Sequence, residues 1–153
     1  MKKLTTLLCT AFLVLGLTAC GGSKEVTVDP AKLAGELQAA VTSDTLSETA
    51  SDMLPSIYFF EEDAIEEGVA FASSGATACE IAVVKSTDAK NTANVEKLFQ
   101  TRVDNQSALY ASYNQGEVDK LDKAIIKSTG AYTVLCVCDD VDKANEILKG
   151  YGF

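Results

Sequence analysis

The chain carries its apolar residues in three successive patterns, and their order predicts the architecture. Residues 4–17 are almost uninterrupted apolar sequence behind Met1-Lys2-Lys3. After Asp29-Pro30, an N-cap followed by proline at the first helical position, Leu33, Leu37, Ala40 and Val41 recur at helical spacing, which predicts a helix ending near Ser43. Residues 44–56 are polar, with room for one helical turn at 51–54 that Pro55 stops. From Gly68 the period falls to two, giving strands at 69–73 and 79–85 joined through Ser74-Gly75. The longest helical pattern runs over 88–113, with Val95, Leu98, Phe99, Val103, Leu109, Tyr110 and Tyr113 on one side, and Gly116 marks its end. A second hairpin follows at 124–128 and 132–138 around Thr129-Gly130, and Asp140 caps a last helix through Leu148. In 132–138, Tyr132, Val134 and Cys136 take one face and Leu135 and Val137 the other, which suits an interior strand.

These elements predict an α+β domain, a mostly antiparallel sheet of about four strands with helices packed on one face. The two halves read alike: V-A-F-A-S-S-G-A and C-E-I-A-V-V precede a helix opening at Asp88, and A-I-I-K-S-T-G-A and V-L-C-V-C precede one opening at Asp140 or Asp142. A ββα-ββα internal repeat gives this order, and so does any small antiparallel sheet with helices on one face.

The first apolar run has about the length of a signal-peptide core and falls short of the roughly 20 residues a spanning helix needs. It ends in Leu17-Thr18-Ala19-Cys20, ahead of Gly21-Gly22-Ser23, and resembles the bacterial lipobox. The resemblance implies that residues 1–19 are a lipoprotein signal peptide and that Cys20 is the lipidation site, its thiol receiving a diacylglycerol before cleavage in front of it. Residues 20–28 are then the acylated cysteine with a short flexible tether, and 29–153 a single α+β domain. Two acyl chains, at about 0.8 kcal/mol for each buried methylene, anchor stably where one does not. Extended at about 3.3 Å per residue, the tether reaches ~25 Å, which keeps the domain near the outer leaflet. Gly21 is not aspartate, so nothing here signals inner-membrane retention.

Acidic residues outnumber basic ones 22 to 13, and loss of Lys2 and Lys3 with the signal leaves 11 basic against 22 acidic. An anionic bilayer repels such a domain, so attachment has to come from the lipid, and nucleic acid is not a partner. Histidine is absent, which removes Ser-His-Asp and Cys-His pairs and every zinc site that needs imidazole. There is no G-x-x-x-x-G-K or G-x-G-x-x-G loop. We therefore assign no catalytic residue, no cofactor and no metal ligand.

At about 100° per residue, Val95, Arg102, Gln106 and Tyr113 point within roughly 20° of one direction, inside the apolar stripe. A guanidinium facing a sheet must be paired or reach water. Glu80, on the strand face opposite Cys79 and Ile81, is the candidate partner, with Glu117 the second choice. We favour a structural ion pair fixing helix against sheet. The alternative is a small polar pocket of Arg102, Gln106, Tyr110 and Tyr113 that holds an anionic or hydroxylated ligand.

Cys79, Cys136 and Cys138 remain once Cys9 leaves and Cys20 is acylated. We read them as buried thiols, with a disulfide from Cys79 to one of the other two as the alternative. A metal or redox site needs electropositive surroundings that apolar strands do not offer. The acidic run from Glu61 to Glu67 lacks the alternating carboxylates and central glycine of a calcium loop and reads as a solvated helix.

The segments S-I-Y-F-F-E-E-D-A-I-E-E-G, A-C-E-I-A-V-V-K, R-V-D-N-Q-S-A-L-Y-A-S-Y and K-S-T-G-A-Y-T-V-L-C-V, with the lipobox, resemble the small bacterial lipoproteins of the domain-of-unknown-function 4358 family. The resemblance spans about 33–148. It places the family's strand glutamate on Glu80, its helix arginine and glutamine on Arg102 and Gln106, and its glycine and tyrosine on Gly130 and Tyr132. The Pro-Glu that usually follows the long helix is Gly116-Glu117 here. It implies location and architecture, and no activity.

The expectation is a lipid-anchored protein on the extracytoplasmic face of the cell membrane. It acts as a non-catalytic binding or envelope-assembly module contacting an envelope protein or a small ligand. A small extracytoplasmic enzyme using carboxylates is the alternative; it predicts two acids in one cleft, at least one with a raised pKa.

Overall fold

The computed structural model describes residues 27–61 and 63–153; the signal segment and Cys20 lie outside them. Helix α1, Pro30–Leu37, starts as its sequence predicts: Asp29 accepts the Lys32 N–H at 3.0 Å, and Leu33, Ala34 and Leu37 are buried. Val28 is already buried, so the core begins at the last residue assigned to the tether. A 3-10 turn, Gln38–Ala40, ends where Val41 becomes extended.

Strand β1, Ser47–Thr49, and a 3-10 turn at Ser51–Met53 lead into α2, Leu54–Tyr58. Pro55 therefore sits in the first turn of a helix and does not stop one, because its missing N–H would lack a partner there anyway. The other elements are β2 (Ile65–Ala72), β3 (Glu80–Ser86), α3 (Thr92–Tyr110), α4 (Gln115–Leu121), β4 (Ile125–Thr129), β5 (Tyr132–Val137) and α5 (Val141–Gly150). Among the described residues no helix is long and apolar enough to cross a membrane.

The sheet has five strands in the order β1-β2-β3-β5-β4, with every neighbouring pair antiparallel. The fifth, β1, is a short edge strand, and edge strands need no apolar alternation. The long hairpin turns where expected. Gly130 has φ 56°, the only positive φ in the two-residue β4–β5 loop, as a type II′ turn requires of its first central residue.

Helices lie on both faces, which corrects the expectation of one. Cys79, Ile81, Val83, Val134 and Cys136 pack with Leu33, Leu37, Ala144 and Leu148 of α1 and α5. Ala82, Val84, Leu135 and Val137 pack with Tyr58, Val95, Phe99 and Val103 of α2 and α3. Both central strands are apolar on each face, so each face must be covered. The placement also bears on the repeat. A two-fold that exchanges neighbouring antiparallel strands stands perpendicular to the sheet and keeps equivalent helices on one face. Here α3 and α5 lie on opposite faces, so the two hairpin-helix units are not copies of one arrangement.

The described residues of the acidic run are not helical. Glu66 and Glu67 belong to β2, which begins at Ile65 and carries a bulge before Glu67; Lys85 of β3 reaches across to Glu66 at 2.8 Å. Gly68 permits this strand to lie close to α2, since a Cβ there would stand 3.0 Å from Leu54 Cδ1 and 3.1 Å from Val84 Cγ1.

Candidate functional site

Strand alternation turns Glu80 toward α3, and the helical spacing read from the sequence brings Arg102 above it. Arg102 Nε donates to Glu80 Oε1 at 3.2 Å and to Oε2 at 3.1 Å, and Nη2 donates to Oε2 at 3.0 Å. The Tyr58 hydroxyl donates to Oε1 at 2.6 Å. Glu80 is 5% exposed and the Arg102 side chain 27%. A buried carboxylate is thus met by three donor groups, the arrangement such a charge needs. Tyr58 stacks on Phe60 at 5.4 Å and meets the edge of Phe99 at 5.2 Å. Burial, followed by the Glu80 charge, pushes its hydroxyl pKa well above the ordinary tyrosine range, which keeps it a donor.

The pair separates two cavities. One, of about 310 Å³, is lined by Thr49, Ile57, Phe59, Glu80, Arg102 and Asn105 among others. The second, of about 280 Å³, is lined by Cys79, Glu80, Arg102, Gln106, Tyr110 and the loop at 73–78. Arg102 spends Nε–H and one Nη2–H on Glu80, so three of its five N–H groups have no protein partner among the described residues.

Of the residues singled out in the sequence, Glu80, Arg102, Gln106 and Tyr110 line one cavity. Tyr113 does not; it is 63% exposed and leans on Tyr110 at 5.2 Å between ring centroids. The long helix ends at Tyr110, whose carbonyl accepts the N–H of both Tyr113 and Asn114, and this turn carries Tyr113 off the stripe. Burial is the main cause raising the Tyr110 pKa, with Tyr113 adding to it.

Sequence reasoning missed Phe59. It ends α2 in the left-handed region, at φ 60° and ψ 34°, the only described non-glycine residue with positive φ, and is 66% exposed. Glycine normally takes such a helix end, and for an L-residue with a bulky side chain the conformation costs about 1–2 kcal/mol. The one signal was three aromatics in a row, Tyr58-Phe59-Phe60, of which a chain reversing at that point can bury only two.

It also missed a second polar cluster at the end of the sheet. Lys120 of α4 donates to Asp139 at 2.9 Å and to Glu117 at 3.2 Å, and its Nζ lies 3.2 Å from Ser43 Oγ and 3.3 Å from Cys79 Sγ. Asp139 accepts the backbone N–H of Thr42 at 2.6 Å and of Ser43 at 2.8 Å. Against a desolvation cost that acts the other way, these bonds hold Asp139 far below the usual carboxylate range. Against a similar cost, Asp139, Cys79 and Glu117 hold Lys120 above the usual lysine range. Glu117, the second choice for Arg102, is engaged here, accepting the Ala78 N–H at 2.7 Å. Lys120 is accordingly a fixed cation that ties α4 to the ends of β3 and β5.

The frame is a five-stranded antiparallel sheet with helices on both faces and a buried Glu-Arg-Tyr cluster beneath α3. The family model described as a domain of unknown function (DUF4358) matches residues 39–138, from the 3-10 turn after α1 to the residue after β5, and the chain belongs to that family. Comparison with curated proteins and with solved structures finds no match.

Proposed function

We propose that this chain is an extracytoplasmic lipoprotein, anchored by diacylglycerol on Cys20, and that it is a non-catalytic binding or envelope-assembly module whose contact surface is the groove under Phe59. The anchor rests on Leu17-Thr18-Ala19-Cys20 and the charged, apolar segment before it. The contact surface rests on one observation: a strained phenylalanine ring held in solvent at the mouth of a cavity that Arg102 and Asn105 line. Strain of this kind persists where it serves a site. The three unpaired N–H groups of Arg102 suit an oxygen-rich group, carboxylate or hydroxyl, on an envelope protein or a small ligand, and the ring suits an apolar neighbour of that group.

The carboxylate-enzyme alternative asks for an acid held protonated in a cleft. The two described acids with displaced pKa values, Asp44 and Asp139, both move downward, Asp44 chiefly through the Ser73 and Thr77 hydroxyls. That favours the binding reading.

The test is isolation of the tagged lipoprotein from its own membranes after cross-linking, beside Phe59→Gly and Asn105→Ala, both surface changes that spare the Glu80–Arg102 pair. The reading predicts that both variants lose the partners recovered with the parent. Equal recovery in all three removes the groove from the account.

A further inference from the structure

Arg102 presents two hydrogen-bonding edges, and Glu80 takes only one. Nε–H and one Nη2–H lie along the side of the planar guanidinium that meets the carboxylate. At the end of the group an Nη1–H stands beside the second Nη2–H, forming another fork that has no partner among the described residues. The side chain is partly exposed and lines both cavities, so solvent reaches it.

The charges around this fork select against an anion. Glu80 already neutralises the guanidinium, and among the described residues no other charged side chain lines either cavity. Behind the second cavity the Asp44 carboxylate accepts from the hydroxyls of Ser73 and Thr77, both of which line it. The whole chain carries a net charge of −9. A carboxylate or phosphate at the open fork would meet a cation already paired, with negative charge on either side of it. A neutral oxygen, hydroxyl or amide carbonyl, takes the same hydrogen bonds without that repulsion.

The rest of the lining suits a sugar. Phe59 offers an exposed ring, whose negative face attracts the C–H groups on the apolar side of a pyranose. Asn105 at the first cavity and Gln106 at the second each bring an amide, donor and acceptor together, and Thr49 and Ser56 add hydroxyls to the first. Ile57 and Ala72 put apolar surface beside these polar groups, which is what the methyl of an acetamido substituent needs. At about 310 and 280 Å³, each cavity is at the small end for a ligand pocket and takes one ring.

We propose that the cavities on either side of Arg102 hold a neutral glycan of N-acetylated sugars, one ring against Phe59 and the next beside Gln106. This rests on the binding reading of the groove and names its ligand.

Detergent-solubilised, lipid-bearing protein, in a detergent without a sugar headgroup, is titrated with tri-N-acetylchitotriose and with trigalacturonate, and binding is read by saturation-transfer NMR. The neutral trimer should saturate the wild-type protein, and the anionic one should bind at least about tenfold more weakly at low salt. Phe59→Gly and Asn105→Ala should each weaken the neutral trimer by about tenfold, while Phe59→Trp, which keeps a ring face, should not. Absence of saturable chitotriose binding, trigalacturonate binding as tightly, or unchanged affinity in Phe59→Gly and Asn105→Ala overturns the proposal. If chitotriose fails while the cross-linked partners still depend on Phe59, the glycan is lost and the groove stands; if those partners are also unaffected, the groove falls with it.

Discussion

Removing the guanidinium of Arg102 leaves Glu80 almost fully buried with one remaining side-chain donor, and the cost follows from what that carboxylate loses. Breaking a buried ion pair from one side costs about 3–5 kcal/mol. Two features of the structure reduce this. The Tyr58 hydroxyl still donates to Oε1, and the 27% exposure of the Arg102 side chain lets water enter where the guanidinium was. Arg102→Met should therefore destabilise by about 2–3 kcal/mol. Glu80→Leu removes the buried charge and frees Arg102 to water, leaving chiefly the buried Tyr58 hydroxyl without an acceptor, at about 1–2 kcal/mol. The double variant should cost no more than Glu80→Leu alone, so it is more stable than Arg102→Met and the coupling is about 2 kcal/mol or more. Urea unfolding of the four proteins measures this, provided the m-values agree. A coupling under about 0.5 kcal/mol, or an Arg102→Met variant within about 1 kcal/mol of wild type, refutes the argument that the pair joins α3 to β3.

Three further outcomes follow from separate parts of the molecule. Phe59→Gly relieves the left-handed strain and loses few contacts, so it should stabilise by about 0.5–1 kcal/mol in the same urea assay, the reverse of an ordinary large-to-small change. A loss of stability would show the ring to be packed after all. Gly68→Ala drives a Cβ toward Leu54 and Val84 and should cost about 1 kcal/mol or more, whereas Gly150→Ala, with nothing near its Cβ, should not destabilise. Asp139 has its folded pKa depressed, so its contribution is fully present above the unfolded value near 4 and is lost as pH falls through the folded one. Solvent screening at this exposed residue reduces the effect, so Asp139→Asn should cost about 1 kcal/mol at neutral pH, and its difference from wild type should shrink below about pH 4. Thermal melts from pH 2 to 7 test the sign.

Local chemistry made part of this molecule readable. Both hairpins, the caps at Asp29 and Asp140 and the meeting of Glu80 with Arg102 depend on alternation, helical spacing and turn residues, all within short stretches. The features that were missed depend on distant partners. Strand β1 has no apolar pattern and exists because β2 offers it an open edge. The Lys120 cluster joins residues 43, 79, 117, 120 and 139, which no spacing rule connects. Leu109 fits the apolar stripe of α3 yet is exposed, while Tyr110 beside it is buried, a choice between neighbours that spacing alone does not make. The two-sided cover was within reach: 132–138 reads as apolar on both faces, and a strand buried twice needs helices above and below.

The mature N-terminus decides where the domain works. Mass spectrometry of the N-terminal peptide from protein purified out of its native membrane should find Cys20 as the first residue, carrying a thioether-linked diacylglycerol. A peptide that begins upstream of Cys20, or a Cys20 terminus with an unmodified thiol, contradicts a lipid-held module at the outer membrane surface.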